Sequence, residues 1–298
     1  MDFSQIKLEN ERSTHVTKRL NRTTTWKFFG ILYRDDMGRV FAFSMLMLLC
    51  LAPMIACYVM FANDFASLQG SLPLFNDFGF STGMWQGAQD HFNQQSAILS
   101  QKWGLWATLA SIVLAITLSA GFAVVRDAFW TGKLRKVGLF RSFGNGFKAN
   151  FLYALGSMAV IAFGVYGVVQ FYVWAQTAMP IWLAIVLLVL LCIVLLFVVT
   201  YLLILCSVSV TYKQTFAQNV KDSWLLLWMN VLPNIIHTVF AFAHIGLAFL
   251  FSSMGGMLMS LFFAIMLMFG GLYMPLVWQC HMMRTFALFH PVETKKKK

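Results

Sequence analysis

Asn230, Asn234, His237 and His244 recur at helical spacing inside one apolar stretch. At 100 degrees per residue they fall within about 80 degrees of one another, and Ala241 lies on the same line. Neutral amides and imidazoles in such a stripe have two uses: hydrogen bonding between helices, or lining a cavity for a neutral or amphipathic solute. Either use turns them inward, because a polar group unmet in hydrocarbon costs several kcal/mol. Proton coupling is the poorer reading, since no carboxylate lies in mid-stretch to pair with either histidine.

A second pattern occupies 127–150, DAFWTGKLRKVGLFRSFGNGFKAN. Phe140, Phe143, Phe147 and Phe151 recur at spacings of three and four, which puts their rings on one face, with the cations Lys136, Arg141 and Lys148 distributed among them. Such a segment can rest in the headgroup plane with rings down and cations toward anionic lipid. It can equally dock a cytoplasmic or membrane partner. Gly144 and Gly146 predict two short amphipathic helices in place of one rigid helix. GNG without a following GK[ST] lacks the lysine of a phosphate-cradling loop.

Other chemistries find little to work with. Cys50, Cys57, Cys192, Cys206 and Cys280 all fall inside or at the ends of apolar runs, without a CxxC pair, and read as small buried hydrophobes. Met254, Met257, Met259, Met266, Met268 and Met274, with His237, His244 and His281, offer soft ligands for copper, but they form no one-face ladder. No HExxH, EF-hand or paired-carboxylate arrangement occurs. The expectation is therefore no metal, no cofactor and no catalytic set.

The elements that must position these residues follow from composition. Of 298 residues 59% are hydrophobic and only 11% charged, too few charges to cover a soluble fold of this size. A cytosolic enzyme or a nucleic-acid binder is excluded on that ground, and an all-α integral membrane bundle is expected. Six stretches without Asp, Glu, Lys or Arg predict spans at about 40–62, 103–125, 151–174, 181–206, 231–251 and 257–279. Pro53 predicts a bend in the first. Gly156, Gly164 and Gly167 in the third permit close helix approach.

The organisation expected is a basic leader at 1–39, a membrane domain at 40–281 with an outer loop at 63–102 and an inner loop at 126–150, and a basic tail at 282–298. Short interfacial helices are expected in the leader and the inner loop. Of the 22 Lys and Arg, 21 fall on one side of this six-span arrangement and only Lys102 on the other. The positive-inside rule then places both termini in the cytoplasm.

VGLFRSFGNGFKANF at 137–151 and LLCLAPMIA at 48–56 resemble the YesL-like family of bacterial membrane proteins, and the likeness extends over about 30–62 and 103–279. The resemblance implies a small polytopic protein associated with carbohydrate uptake and degradation, with no established reaction. It also implies a partner such as a carbohydrate ABC transporter or another membrane protein. The sequence departs from that pattern in its long basic leader and enlarged outer loop. The functional expectation is a non-enzymatic accessory or interaction protein of the bacterial cytoplasmic membrane, contacting anionic lipid. A transporter or channel for a neutral or amphipathic solute is the alternative.

Overall fold

The computed structural model describes residues 30, 34, 37–70, 82–131, 138–212, 214–252 and 270–289. The elements are α1 Met37–Gly70, α2 Thr82–Ile112, α3 Ala115–Thr131, α4 Leu139–Ala178, α5 Ile181–Thr211, α6 Phe216–Met229, α7 Val231–Ser252, a 3-10 turn Gly270–Leu272, and α8 Tyr273–Phe289. Among the described residues, four helical segments are long and apolar enough to cross a membrane. They are Leu49–Leu68, Asp90–Ala128, Phe140–Ala175 and Ile181–Thr211; a fifth follows if the bent pair α6–α7 counts as one span. Of the expected sixth span, 257–269 lies outside the described residues, while 270–279 forms the 3-10 turn and the start of α8. Nearly all of the leader and the end of the tail also lie outside them.

The spans form where uninterrupted apolar runs leave internal hydrogen bonding as the only way to satisfy the backbone in lipid. α5 carries Ile185, Val189, Leu190, Ile193 and Val194 exposed along its first half, a surface suited to acyl chains. From Val199 onward it is buried except at half-buried Tyr201 and Ser209, with Leu203, Ile204, Cys206 and Val208 almost fully enclosed. The core sits at this end. Val40 and Phe43 of α1, Phe122, Val124 and Val125 of α3, and Leu276, Trp278 and Met282 of α8 close around it.

The connections differ from the expected loops. The outer segment 63–102 is largely helix: α1 continues to Gly70 and α2 begins at Thr82, with Phe65 meeting Phe92 at 6.2 Å. Trp103 Nε1 donates to Asp64 at 2.8 Å and Lys102 lies 4.0 Å from the same carboxylate, tying the two helices together. The second expected span, 103–125, lies within the membrane-length segment Asp90–Ala128, whose helix tightens at Val113–Leu114 between α2 and α3. Thr108, Ser111 and Thr117 hydroxyls donate to carbonyls three or four residues back, at 2.8, 2.7 and 2.6 Å, a pattern that bends helices.

The inner loop is corrected more deeply. Residues 139–150 are not two short interfacial helices but the first three turns of α4, a single helix of 40 residues and about 60 Å. Glycine costs about 1 kcal/mol in a helix, yet packing against α3 outweighs it here. A Cβ on Gly146 would stand 2.3 Å from the Ala123 Cβ and 3.2 Å from the Ser119 carbonyl oxygen, so only glycine lets the two helices touch. A Cβ on Gly164 would meet only the Leu195 Cδ1, at 2.7 Å, a side-chain tip that can move aside, whereas Gly156 and Gly167 face nothing within 4 Å.

Candidate functional site

Below the lipid-facing half of α5, its inward face presents Thr200, Leu203, Ser207 and Thr211, one residue per turn. Two further helices bring polar groups to that face. From α7, Thr238 Oγ1 meets Thr200 Oγ1 at 3.0 Å. From α8, Trp278 Nε1 donates to Ser207 Oγ at 2.9 Å and reaches the Leu203 carbonyl at 3.2 Å, while Gln279 Nε2 donates to Thr211 Oγ1 at 3.5 Å.

Asn234 joins three elements. Its Nδ2 donates to the Leu226 carbonyl at 3.1 Å, in the last turn of α6, where helix geometry leaves carbonyls without continuing partners. That bond orients the amide, so Oδ1 accepts from His281 Nε2–H at 2.9 Å on α8. His281 then stacks on His237 with ring centroids 3.9 Å apart and planes 11° from parallel. His237 Nδ1–H donates to the Pro233 carbonyl one turn back, at 2.8 Å. The result is a hydrogen-bonded and stacked seam across α5, α6, α7 and α8.

A separate cluster fastens the other side of the same end. Arg126 of α3 pairs with Asp127, Nε and Nη2 lying 3.0 and 2.9 Å from Oδ1, and its Nη1 donates to the Val210 carbonyl of α5. Ser142 of α4 donates to Asp127 Oδ2 at 2.5 Å. Two side chains thus bind three helices. Asp127→Ala should lower stability by about 1–3 kcal/mol, because it strips the charged acceptor from partly buried donors. Thermal unfolding in detergent checks this, and Ser142→Ala should show a smaller loss in the same direction. One residue past α5, burial and then the negative charge of Asp222 hold the Tyr212 phenol above its ordinary range, so the hydroxyl stays protonated.

Of the sequence-predicted site residues, Asn234 is buried and His237 half-buried in the seam. Asn230 stands at the junction of α6 and α7, where its carbonyl accepts from Asn234 N–H at 2.9 Å. His244 lies within α7, and its side chain is outside the described residues, as is Lys136. The four rings of the 140–151 face do not share one environment. Phe140 is 81% exposed, Phe143 packs edge-on against buried Phe43 at 6.1 Å, and Phe147 meets Phe151 at 4.9 Å. Arg141 and Lys148 are exposed.

Sequence reasoning did not find His281 as the partner of the stripe, nor Thr200, Ser207 and Trp278 as members of the seam around it, nor the Arg126–Asp127–Ser142 cluster. The partners lie 38 to 75 residues away along the chain from the groups they bond, beyond any local spacing signal. Asp127 beside Arg126 at the end of an apolar run was the legible hint of the cluster. Among the described residues, no group of three or more His, Cys, Asp or Glu is placed to hold a metal ion. No family model, curated protein or solved structure matches the chain, so the YesL-like likeness gains no support there.

Proposed function

We propose that the protein is a non-enzymatic accessory or interaction protein of the cytoplasmic membrane. The carrying observation is the use of Asn234: both ends of its amide are taken by protein groups on α6 and α8, which favours a stripe that joins helices over one that lines a solute path. In this reading the membrane bundle is a scaffold, and its working surfaces are exposed cations and lipid-facing helices. The partner suggested by the YesL-like likeness is a carbohydrate ABC transporter or another membrane protein. Autonomous transport of a neutral solute is the second reading. It is favoured by the oxygens of Gln214, Asn219, Ser223 and Gln279, which are buried without a protein donor near the end of α5 and on α6 and α8.

Copurification in mild detergent separates the two. A reproducible complex should be recovered, and it should lose most of its partner when Lys136, Arg141 and Lys148 are made neutral while the protein itself stays folded. Solute flux by the purified protein alone in liposomes, abolished by Asn234 or His237 replacement and untouched by the loop substitutions, would sink the accessory reading.

A further inference from the structure

The helix α6 is built inside out. Its buried residues are Asn219, Ser223, Leu226 and Leu227, half of them polar. On the opposite face Lys221, Trp224, Leu225 and Trp228 fall within about 100 degrees at helical spacing. Trp224 and Trp228 are 52% and 56% exposed and touch edge-on at 5.7 Å. A soluble surface helix has the reverse arrangement, apolar inward and polar outward.

Three observations say what meets this face. First, α6 stands at 98° to α7, so if α7 runs along the membrane normal, α6 lies in the membrane plane. A Thr215–Gln218 capping box starts it as a helix in its own right. Second, its depth can be counted. About 20 helical residues cross the hydrocarbon, and from Ile181 at the start of α5 that count ends near Tyr201. Tyr201 donates to the Val220 carbonyl at 3.4 Å and meets the Trp224 ring at 6.0 Å, so α6 crosses α5 where the acyl region gives way to headgroups. Third, this end of the molecule is basic. Arg126 bonds Val210, Arg141 precedes Ser142 in the Asp127 cluster, and Arg284 lies two residues before Phe286, which packs on Tyr212 at 5.1 Å.

We propose that α6 is an in-plane membrane helix whose Lys221, Trp224, Leu225 and Trp228 face binds the headgroup–acyl boundary of an anionic leaflet. The indoles occupy the amphipathic layer they favour, and Lys221, one turn before Trp224, reaches up to lipid phosphate along its apolar stem. Asn219 and Ser223 turn inward because the lipid lies on the other side; Asn219 Nδ2 donates to Tyr153 Oη at 2.9 Å.

Spin labels placed singly at Lys221, Trp224 and Trp228, in the whole protein reconstituted with phosphatidylglycerol and phosphatidylcholine, measure the depth. The labels at 224 and 228 should lie roughly 5–10 Å below the phosphates, with the label at 221 shallower. Conservative Trp224→Phe and Trp228→Phe proteins give an independent reading, the loss of tryptophan emission quenched by lipids brominated near the headgroup end of the chain. Lys221→Gln should weaken the preference of this quenching for the anionic over the zwitterionic lipid roughly fivefold. Labels near the bilayer centre would overturn the proposal in favour of a broken span. Labels fully exposed to water would overturn it too, leaving the face to a protein.

Discussion

Replacing Asn234 with leucine should strongly destabilise the protein. The substitution leaves the His281 N–H and the Leu226 carbonyl unpaired at a junction of three helices. An orphaned buried group costs about 1–3 kcal/mol, so the pair amounts to roughly 2–6 kcal/mol. Thermal unfolding in detergent should show a large loss, and Asn234→Asp should recover part of it by restoring an acceptor for His281. A leucine variant as stable as the parent would mean that the amide bonds contribute nothing net. His237→Leu should cost less, because it removes a stacked ring and a bond to its own helix and orphans no group on a neighbouring helix.

The second large effect concerns the α3–α4 contact. Gly146→Ala should cost at least about 1–3 kcal/mol, since the new methyl would lie 2.3 Å from the Ala123 Cβ and the helices must separate to admit it. Two companions make the reading specific. Gly144→Ala meets nothing within 4 Å and should be neutral or stabilising by up to about 1 kcal/mol through helix propensity. Ala123→Gly combined with Gly146→Ala moves the methyl to the other helix and should regain most of the loss, the Ser119 carbonyl at 3.2 Å taking the remainder. Equal effects of Gly144→Ala and Gly146→Ala would remove the close-approach role of Gly146.

These two sites show where sequence reading reached and where it stopped. The runs that became α1, the apolar part of α4, and α5 were legible because nothing but an apolar helix suits 20 uncharged residues. Of the stripe Asn230, Asn234, His237 and His244, the shared face of Asn234 and His237 was legible, since periodicity reports which residues stand together. Periodicity does not report what stands opposite. His281 and Trp278 lie in a segment that reads as a span end, and only the return of α8 along α5 brings them to Asn234 and Ser207. Local propensity misled at Gly144 and Gly146, where one glycine is incidental and the other is the contact itself. It also favoured 126–150 as the interfacial element, because its cations and rings are plentiful. The exposed tryptophan pair Trp224 and Trp228 stands on α6, whose buried face is too polar to announce itself by the usual pattern.

A seam that joins α5, α7 and α8 as a joint between helices is closed to water, whereas a solute path is not. Thr238, fully buried beside Thr200, tests this directly. Thr238→Cys and Ala241→Cys proteins in sealed proteoliposomes of known orientation should resist a charged, membrane-impermeant thiol reagent applied from either face, scored against the parent with its own five cysteines. Cysteines at exposed Asp90 and Thr215 should each react from one side only. Protection at 238 and 241 is the result expected of a closed seam; ready labelling at either position, blocked when a neutral solute is added, would contradict it and assign the stripe to a transport pathway.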